Sequence, residues 1–348
     1  MENDIEVELV LAQHPLWQSL VEYPPDSVSY KVRLGKFAKI YYRLNNLFPL
    51  SQNLVHFCNG AKPLKTRPWI VDCESVKVFF KSYEDLHNPK EVERVERLLN
   101  QKVCRKIVPL SYASKSTLLK YLDLPEDKIE VVYPAVPTVV HDKEFKDRKD
   151  LNLLFVGGAF EAKGGREVVE AFKILSKSYP SLSLTVVGNV KDDNICKKID
   201  NLKILTHVSR KELFRNYYSN ADIFVMPSYM DTVGYVLLEA MSFGIPIVAS
   251  KHFATPEIVK DAGILVDAPV TIWKQDRSYN YKFSNQLSER VFTEVVDELV
   301  GAIQNLIEDK DLREKLSNKA RRIVERGHVS IKGRNEKLEM IYKDIINS

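Results

Sequence analysis

Cysteine is scarce in this chain, and its four copies, Cys58, Cys73, Cys104 and Cys196, stand far apart without a CxxC pair or a Cys/His ligand set. That scarcity speaks against a disulfide scaffold and structural zinc, and for a reducing compartment. No apolar run reaches membrane-spanning length, and the opening M-E-N-D-I-E is acidic where a signal peptide is basic. The expectation is therefore a cytoplasmic protein whose contact with a membrane is at most peripheral. Dense Lys/Arg blocks are missing as well, and a formal net charge of +4 is too small to imply nucleic acid. Histidines are few, seven in all: besides His14, the remaining His56, His87, His141, His207, His252 and His328 show no pairing at metal-ligand spacing, so no metal and no cofactor are expected. Asp192-Asp193 and Asp309/Asp311 fall in predicted loops or helix starts, which disfavours a metal-dependent enzyme built on an acidic pair.

One absence is local. From Ser27 to Val71 there is no Asp or Glu, while Lys31, Arg33, Lys36, Lys39, Arg43, Lys62, Lys65 and Arg67 all fall inside. On a helical wheel Leu34, Phe37, Ile40, Tyr41, Leu44 and Phe48 share an arc flanked by Lys36, Lys39 and Arg43. A helix over Tyr30 to Phe48 resting on an anionic membrane surface fits this pattern. Core packing with a solvated basic edge fits it too, as does a polyanionic or lipid-linked acceptor.

What is present is ample for folding. The 348 residues, 45% hydrophobic and 28% charged, suit two soluble domains with separate cores. From Leu151 onward, strand and helix patterns alternate: L-N-L-L-F-V-G-G as a buried strand, G-R-E-V-V-E-A-F-K-I-L-S-K-S as an amphipathic helix, and S-L-S-L-T-V-V-G as the next strand. Further segments are expected at 202–205, 210–220, 221–226, 233–243, 246–249, 256–260 and 264–266. Such βα units imply a parallel sheet with helices on both faces. The first part is less regular, with strands expected at 5–12, 54–57, 69–71, 106–109 and 129–132. Pro134 to Asp150 mixes prolines and charges without periodicity, so residues 1–137 form one domain, 138–150 the linker and 151–328 a second domain. The chain is helical after Asn285, and 329–348 is expected to pack back on the first domain.

The window from Pro227 to Pro246, P-S-Y-M-D-T-V-G-Y-V-L-L-E-A-M-S-F-G-I-P, sets Asp231 before a helix expected from Val233, and Glu239 about two turns inside it. A helix start offers amides without a helical acceptor, and Gly234 leaves room for a phosphate to close on the backbone. Two acids with donors between them suit a sugar diphosphate. Asp231 as a plain cap and Glu239 as a solvated helix residue is the alternative. Phe155 to Gly165, F-V-G-G-A-F-E-A-K-G-G, adds glycines at a strand end and the mobile cation of Lys163. Both loops fall at strand carboxyl ends, where such sheets bind ligands.

At these positions the chain resembles the retaining GT-B glycosyltransferases called family four. The strand-turn F-V-G-x-x-x-x-x-K-G matches Phe155 to Gly164, A-D-x-x-V-x-P-S matches Ala221 to Ser228, and the two acids followed by A-M-x-x-G-x-P match Asp231 to Pro246, with E-I-V at Glu257 to Val259. The resemblance spans Ile129 to Val266 and extends loosely into the C-terminal helices. It implies an α/β fold of GT-B type: two Rossmann-like domains facing a central cleft, the N-terminal one reduced. It implies transfer of a hexose from a UDP- or GDP-sugar to a glycan or lipid-linked acceptor, with retention, through front-face attack in which the leaving phosphate takes the acceptor proton, and without a metal. Lys163, Asp231 and Glu239 are the implied catalytic residues: Lys163 neutralises the diphosphate, Asp231 accepts from sugar hydroxyls and Glu239 binds the ribose. Gly157, Gly158, Val208, Thr232, Val233, Gly234, Tyr235 and Val236 complete the implied donor site.

Three departures stand out. The first acid is Asp231 rather than glutamate, the arginine that usually partners the lysine is Gly158, and His14, Pro15 and Trp17 replace the usual glycine-rich opening loop. The segment W-I-V-D-C-E offers Asp72 and Glu74 on the acceptor side, with a helix cap and a surface acid as their alternatives. Ser111 is expected to cap the helix that carries Lys115. A catalytically weak or inactive nucleotide-sugar-binding or partner-binding module on the same fold is the rival reading, and a glycan-cleaving or glycan-phosphorylating enzyme is a third.

Overall fold

A computed structural model describes residues 5–10, 14–33, 53–61, 64–139, 150–190, 199–206, 208–288 and 291–348. The chain forms two compact units, one of 1–136 with 328–348 and one of 137–327.

The first unit holds a five-stranded parallel sheet, β1 (Ile5–Val10), β2 (Val28–Arg33), β3 (Leu54–Phe57), β4 (Trp69–Cys73) and β5 (Cys104–Pro109), in the order β2-β1-β3-β4-β5. Its helices are α1 (Pro15–Glu22), α2 (Pro89–Leu99) and α3 (Tyr112–Tyr121). Strands β3 and β4 are buried throughout, which explains their unbroken apolar runs. Ser111 caps α3 by accepting from the Ser114 amide at 3.0 Å.

Two expectations for this unit change. Tyr30 to Arg33 do not open a helix: they belong to β2, which pairs in parallel with β1 from Ile5↔Val28 to Val10↔Arg33. V-S-Y-K-V-R alternates with the two-residue period of a half-covered edge strand. Residues 34–48 of the membrane-helix reading lie outside the described residues. Residues 129–132 form no regular strand, but they run beside β5: Ile129 bridges to Ile107, and the amides of Glu130 and Val132 donate to the carbonyls of Ile107 and Pro109. Among the described residues no helix is long and apolar enough to cross a membrane.

The second unit holds β6 (Asn152–Val156), β7 (Ser183–Val187), β8 (Leu202–Leu205), β9 (Ile223–Met226), β10 (Ile247–Ser250) and β11 (Gly263–Val266). All pair in parallel, in the order β11-β10-β9-β6-β7-β8. The chain runs outward from β6 to β8 and then crosses to β9 on the other side of β6. The switch point therefore lies between β6 and β9, where a parallel sheet opens a crevice at its carboxyl edge.

The helices of this unit are α4 (Gly165–Ser178), α5 (Arg210–Glu212, continued by a π-helical turn Leu213–Tyr218), α6 (Tyr235–Ser242), α7 (Thr255–Val259), α8 (Phe283–Ser288), α9 (Thr293–Glu308) and α10 (Lys310–Arg326). Buried Arg313 of α10 donates to the carbonyls of Leu306 and Ile307 at the end of α9, satisfying acceptors that a helix end leaves open.

The last helix, α11 (Ile331–Ile346), belongs to the first unit. Arg334 donates to Ser19 Oγ at 2.7 Å and to the Tyr23 carbonyl at 2.5 Å, and Lys337 donates to the Val131 carbonyl at 3.1 Å. Tyr342 places its hydroxyl 2.7 Å from His56 Nδ1 and 3.0 Å from the Tyr30 hydroxyl. The Tyr30 hydroxyl is thus turned inward, to α11.

Candidate functional site

The loops after β6 and β9 lock together at the switch point. The amides of Tyr229 and Met230 donate to the Ala162 carbonyl at 3.0 and 3.2 Å. Gly164 has φ +76°, and a Cβ there would lie 2.4 Å from the Pro227 carbonyl oxygen. Gly157 allows the close passage of Lys163, since a Cβ at 157 would lie 2.9 Å from the Lys163 Cβ. Lys163 is delivered in this way to the start of the next loop. Its ammonium donates to the Met230 carbonyl at 2.8 Å and to Asp231 Oδ2 at 2.6 Å.

Asp231 holds the loop as well as the cation. Its Oδ1 accepts from the amides of Gly234 at 2.8 Å and Val233 at 3.3 Å. Gly234 adopts φ +66°, and α6 starts after it, at Tyr235 rather than at Val233. The side-chain turn at Asp231 takes up the residues that an earlier helix start would use. The carboxylate is mostly buried, with 13% of its side chain exposed. Burial pushes its pKa up, but Lys163, the Gly234 amide and the neighbouring His252 outweigh this and hold it below the usual carboxylate value. An acid, a lysine and the amides of a helix start therefore share one small volume.

Glu239 is in different company. In α6 it is buried, its Oε1 lies 3.0 Å from Arg210 Nη2, and its Oε2 accepts from the Tyr218 hydroxyl at 3.0 Å. Burial raises its pKa, while Arg210 and Tyr218 pull it back. The solvated reading of Glu239 is thus corrected: this acid faces inward between α6 and the π-helical turn. Arg210 lies over the rings of Phe214 and Tyr235 at 5.2 and 5.5 Å. Arg210 and Tyr218 had no local sequence signal, because their partner is 29 and 21 residues away respectively.

The other implied donor residues are distributed around these two clusters. Gly158 is exposed with open space around it, Val208 lies between β8 and α5, and Thr232 lies half-buried between Asp231 and Gly234. Val233 and Tyr235 are buried, and Val236 is half-buried in the first turn of α6. A first helical turn carries amides that the helix itself does not use.

His252 was not singled out by sequence. It follows β10, is 3% exposed, and its Nε2 makes no hydrogen bond among the described residues. Burial lowers its pKa to about 4; Asp231 opposes this, and Lys163 and Arg277 reinforce it. Because the native value lies below the ordinary 6.5, stability is complete above pH 6.5 and is lost as pH falls toward 4. At about 1.4 kcal/mol per pH unit across that window, the loss approaches about 3 kcal/mol. Urea unfolding at pH 7 and pH 4.5 is expected to show this loss in the wild type and a smaller one in His252→Gln. Equal losses in both proteins remove His252 as the source.

In the first unit, Asp72 lies inside β4 and caps no helix. Its Oδ2 accepts from Trp17 Nε1 at 3.1 Å, and its Oδ1 is 2.8 Å from His56 Nε2. Glu74, half-buried after β4, accepts from Ser114 Oγ through its carbonyl at 2.5 Å. Adjacent strands bring His56, Cys58 and Asp72 within 4.8 Å, a grouping that linear spacing does not reveal. Both ring nitrogens of His56 are engaged, by Tyr342 and Asp72, so His56 and Asp72 stand in a hydrogen-bonded set with Tyr342 and Trp17.

Comparison with known proteins agrees with this architecture. Residues 138–275 match the family model for glycosyl transferases group 1. A D-inositol 3-phosphate glycosyltransferase of Paenarthrobacter aurescens is 29% identical over 201 residues, 51% of this chain and 49% of the relative. The chain spans about half the length of the curated relatives it matches. Among solved structures, the sucrose-phosphate synthase of Thermosynechococcus elongatus superposes with a TM-score of 0.68 over 98% of this chain and 99% of its own, at 14% identity. HepE of Anabaena, solved with UDP and glucose, gives 0.65 over 98% of this chain and 100% of its own, at 13% identity. At such identities the likeness concerns the fold. Residues 138–275 are thus similar to the glycosyl transferases group 1, and the chain has the GT-B fold.

Proposed function

We propose that this protein transfers a hexose from a nucleoside diphosphate sugar, UDP- or GDP-linked, to a glycan or lipid-linked acceptor, with retention and without a divalent metal. The observation that carries the reading is the Lys163–Asp231 contact of 2.6 Å beside the start of α6. In this reading the donor diphosphate lies against the Lys163 ammonium and the first-turn amides, which take up the negative charge that grows as the glycosidic bond breaks. Asp231, held ionised, accepts from a sugar hydroxyl and orients the ring. Glu239 accepts from the ribose hydroxyls, and Arg210 keeps its buried carboxylate charged. The departing phosphate takes the acceptor proton in a front-face attack, so no side chain has to act as base. A lipid-linked acceptor would bring the protein to the cytoplasmic face of a membrane.

Charge accounting also favours a second reading, a donor-binding module without turnover. In this structure the Lys163 charge is matched by Asp231, and that of Arg210 by Glu239. One experiment separates the two: purified protein with a panel of UDP- and GDP-sugars, chelator present, read by thermal shift and by release of nucleoside diphosphate. The transferase reading expects a stabilising donor that is also consumed. Stabilisation without release supports the module, and neither response rejects both.

A further inference from the structure

Resting on the diphosphate site proposed above, the geometry points to Arg277 as a second cation of that site, a contact to the donor phosphates from a residue just beyond the family-matched span 138–275. A diphosphate brings at least two negative charges. Lys163 is already paired with Asp231 at 2.6 Å, so these two groups together offer no net charge to it. His252 is neutral at physiological pH and adds none. Alongside the first-turn amides, a further cation, close by and claimed by no carboxylate, would supply the positive charge that this pair does not.

Arg277 meets both conditions. It lies at the tip of a hairpin closed by the Trp273↔Tyr279 bridge, with the Lys274 amide donating to the Ser278 carbonyl and the Arg277 amide to the Lys274 carbonyl, each at 2.9 Å. The hairpin is fastened to the β9 loop of the site and to the loop after β10. The Ile272 amide donates to the carbonyl of Tyr229, two residues before Asp231, at 3.0 Å. Trp273 packs on Phe253, with ring centroids 6.0 Å apart. The guanidinium of Arg277 lies over the Phe253 ring at 5.5 Å, next in sequence to His252, and no carboxylate among the described residues pairs with it. Arg277, Lys163 and Asp231 all act electrostatically on the buried His252 imidazole, which sets them in one neighbourhood.

The backbone supplies an independent sign. Arg277 and Phe253 both take left-handed conformations, φ +66° and +47°, which non-glycine residues seldom adopt. Two such residues in mutual contact, next to the orphaned Nε2 of His252, are strain of the kind retained at binding sites. The side chain is half-exposed, and its planar guanidinium suits a bidentate contact with a phosphate.

The test is calorimetric titration of wild type, Arg277→Gln and Arg277→Lys with UDP, GDP and the corresponding nucleosides. Arg277→Gln is expected to bind its nucleoside diphosphate about tenfold or more weakly, the effect of one charge-assisted hydrogen bond. Arg277→Lys is expected to recover part of that loss, and nucleoside affinity is expected to stay unchanged. Equal nucleoside diphosphate affinity in wild type and Arg277→Gln overturns the assignment while leaving the site standing. Equal weakening of nucleoside and diphosphate also overturns it, since the hairpin then acts on the base or on the fold. A wild type that binds neither UDP nor GDP rejects the donor site itself, and Arg277 with it.

Discussion

Lys163→Met is expected to reduce sugar transfer by roughly two to three orders of magnitude, the usual effect of removing one preorganised donor from a developing charge. The ammonium is held by the Met230 carbonyl and Asp231 before any ligand arrives, so little reorganisation is needed when the diphosphate begins to leave. The deficit belongs in kcat more than in KM, because the stabilised charge grows along the reaction. Asp231 loses its cation in the same variant, so donor orientation suffers as well. The measurement is steady-state release of nucleoside diphosphate with a saturating donor identified from the panel. A variant within about fivefold of wild type, far short of the expected loss, removes Lys163 from leaving-group stabilisation.

Gly164→Ala is expected to be the most damaging single methyl group in the second unit. The left-handed backbone at φ +76° disfavours any side chain, and the new Cβ meets a carbonyl oxygen at 2.4 Å, where backbone and not a flexible side chain must yield. Strain and overpacking together suggest a cost of about 3 kcal/mol. In a unit of this size that corresponds to a melting temperature lower by about 6–12 °C. Gly158→Ala, where a Cβ meets nothing within 4 Å, is the matched control and is expected to melt with the wild type. If the two variants melt together, the contact between the β6 and β9 loops is not what Gly164 secures.

Much of the second sheet was legible because its strands are covered on both faces. I-F-V-M and I-V-A-S are apolar at nearly every position, and the structure buries all eight residues. The Asp231 window was legible because a side-chain acceptor, a glycine and a helix start fall in one short run. What escaped was long-range or low in contrast. Strand β2 was missed because V-S-Y-K-V-R is half polar and leads into a segment with helical periodicity. Residues 129–132 carry strand-like composition and do lie against β5, with one bridge at Ile107 and two amide bonds, but without a regular ladder. Arg210, Tyr218, His252 and Arg277 act across loops that only the sheet order brings together, and nothing in their immediate neighbours announces it. Asp72 was noticed for its charge, but its bonds to Trp17 and His56 depend on β1, β3 and β4 lying side by side.

The return of α11 to the first unit sets the order in which the polypeptide can mature. Residues 137–327 are contiguous and carry their own sheet, so they can settle as soon as they emerge from the ribosome. The first unit, although translated earlier, waits for Arg334, Lys337 and Tyr342 before Ser19, Val131 and His56 gain their partners. Nascent chains halted before residue 328 would then carry a protease-resistant later portion behind an earlier one that is still open to cleavage.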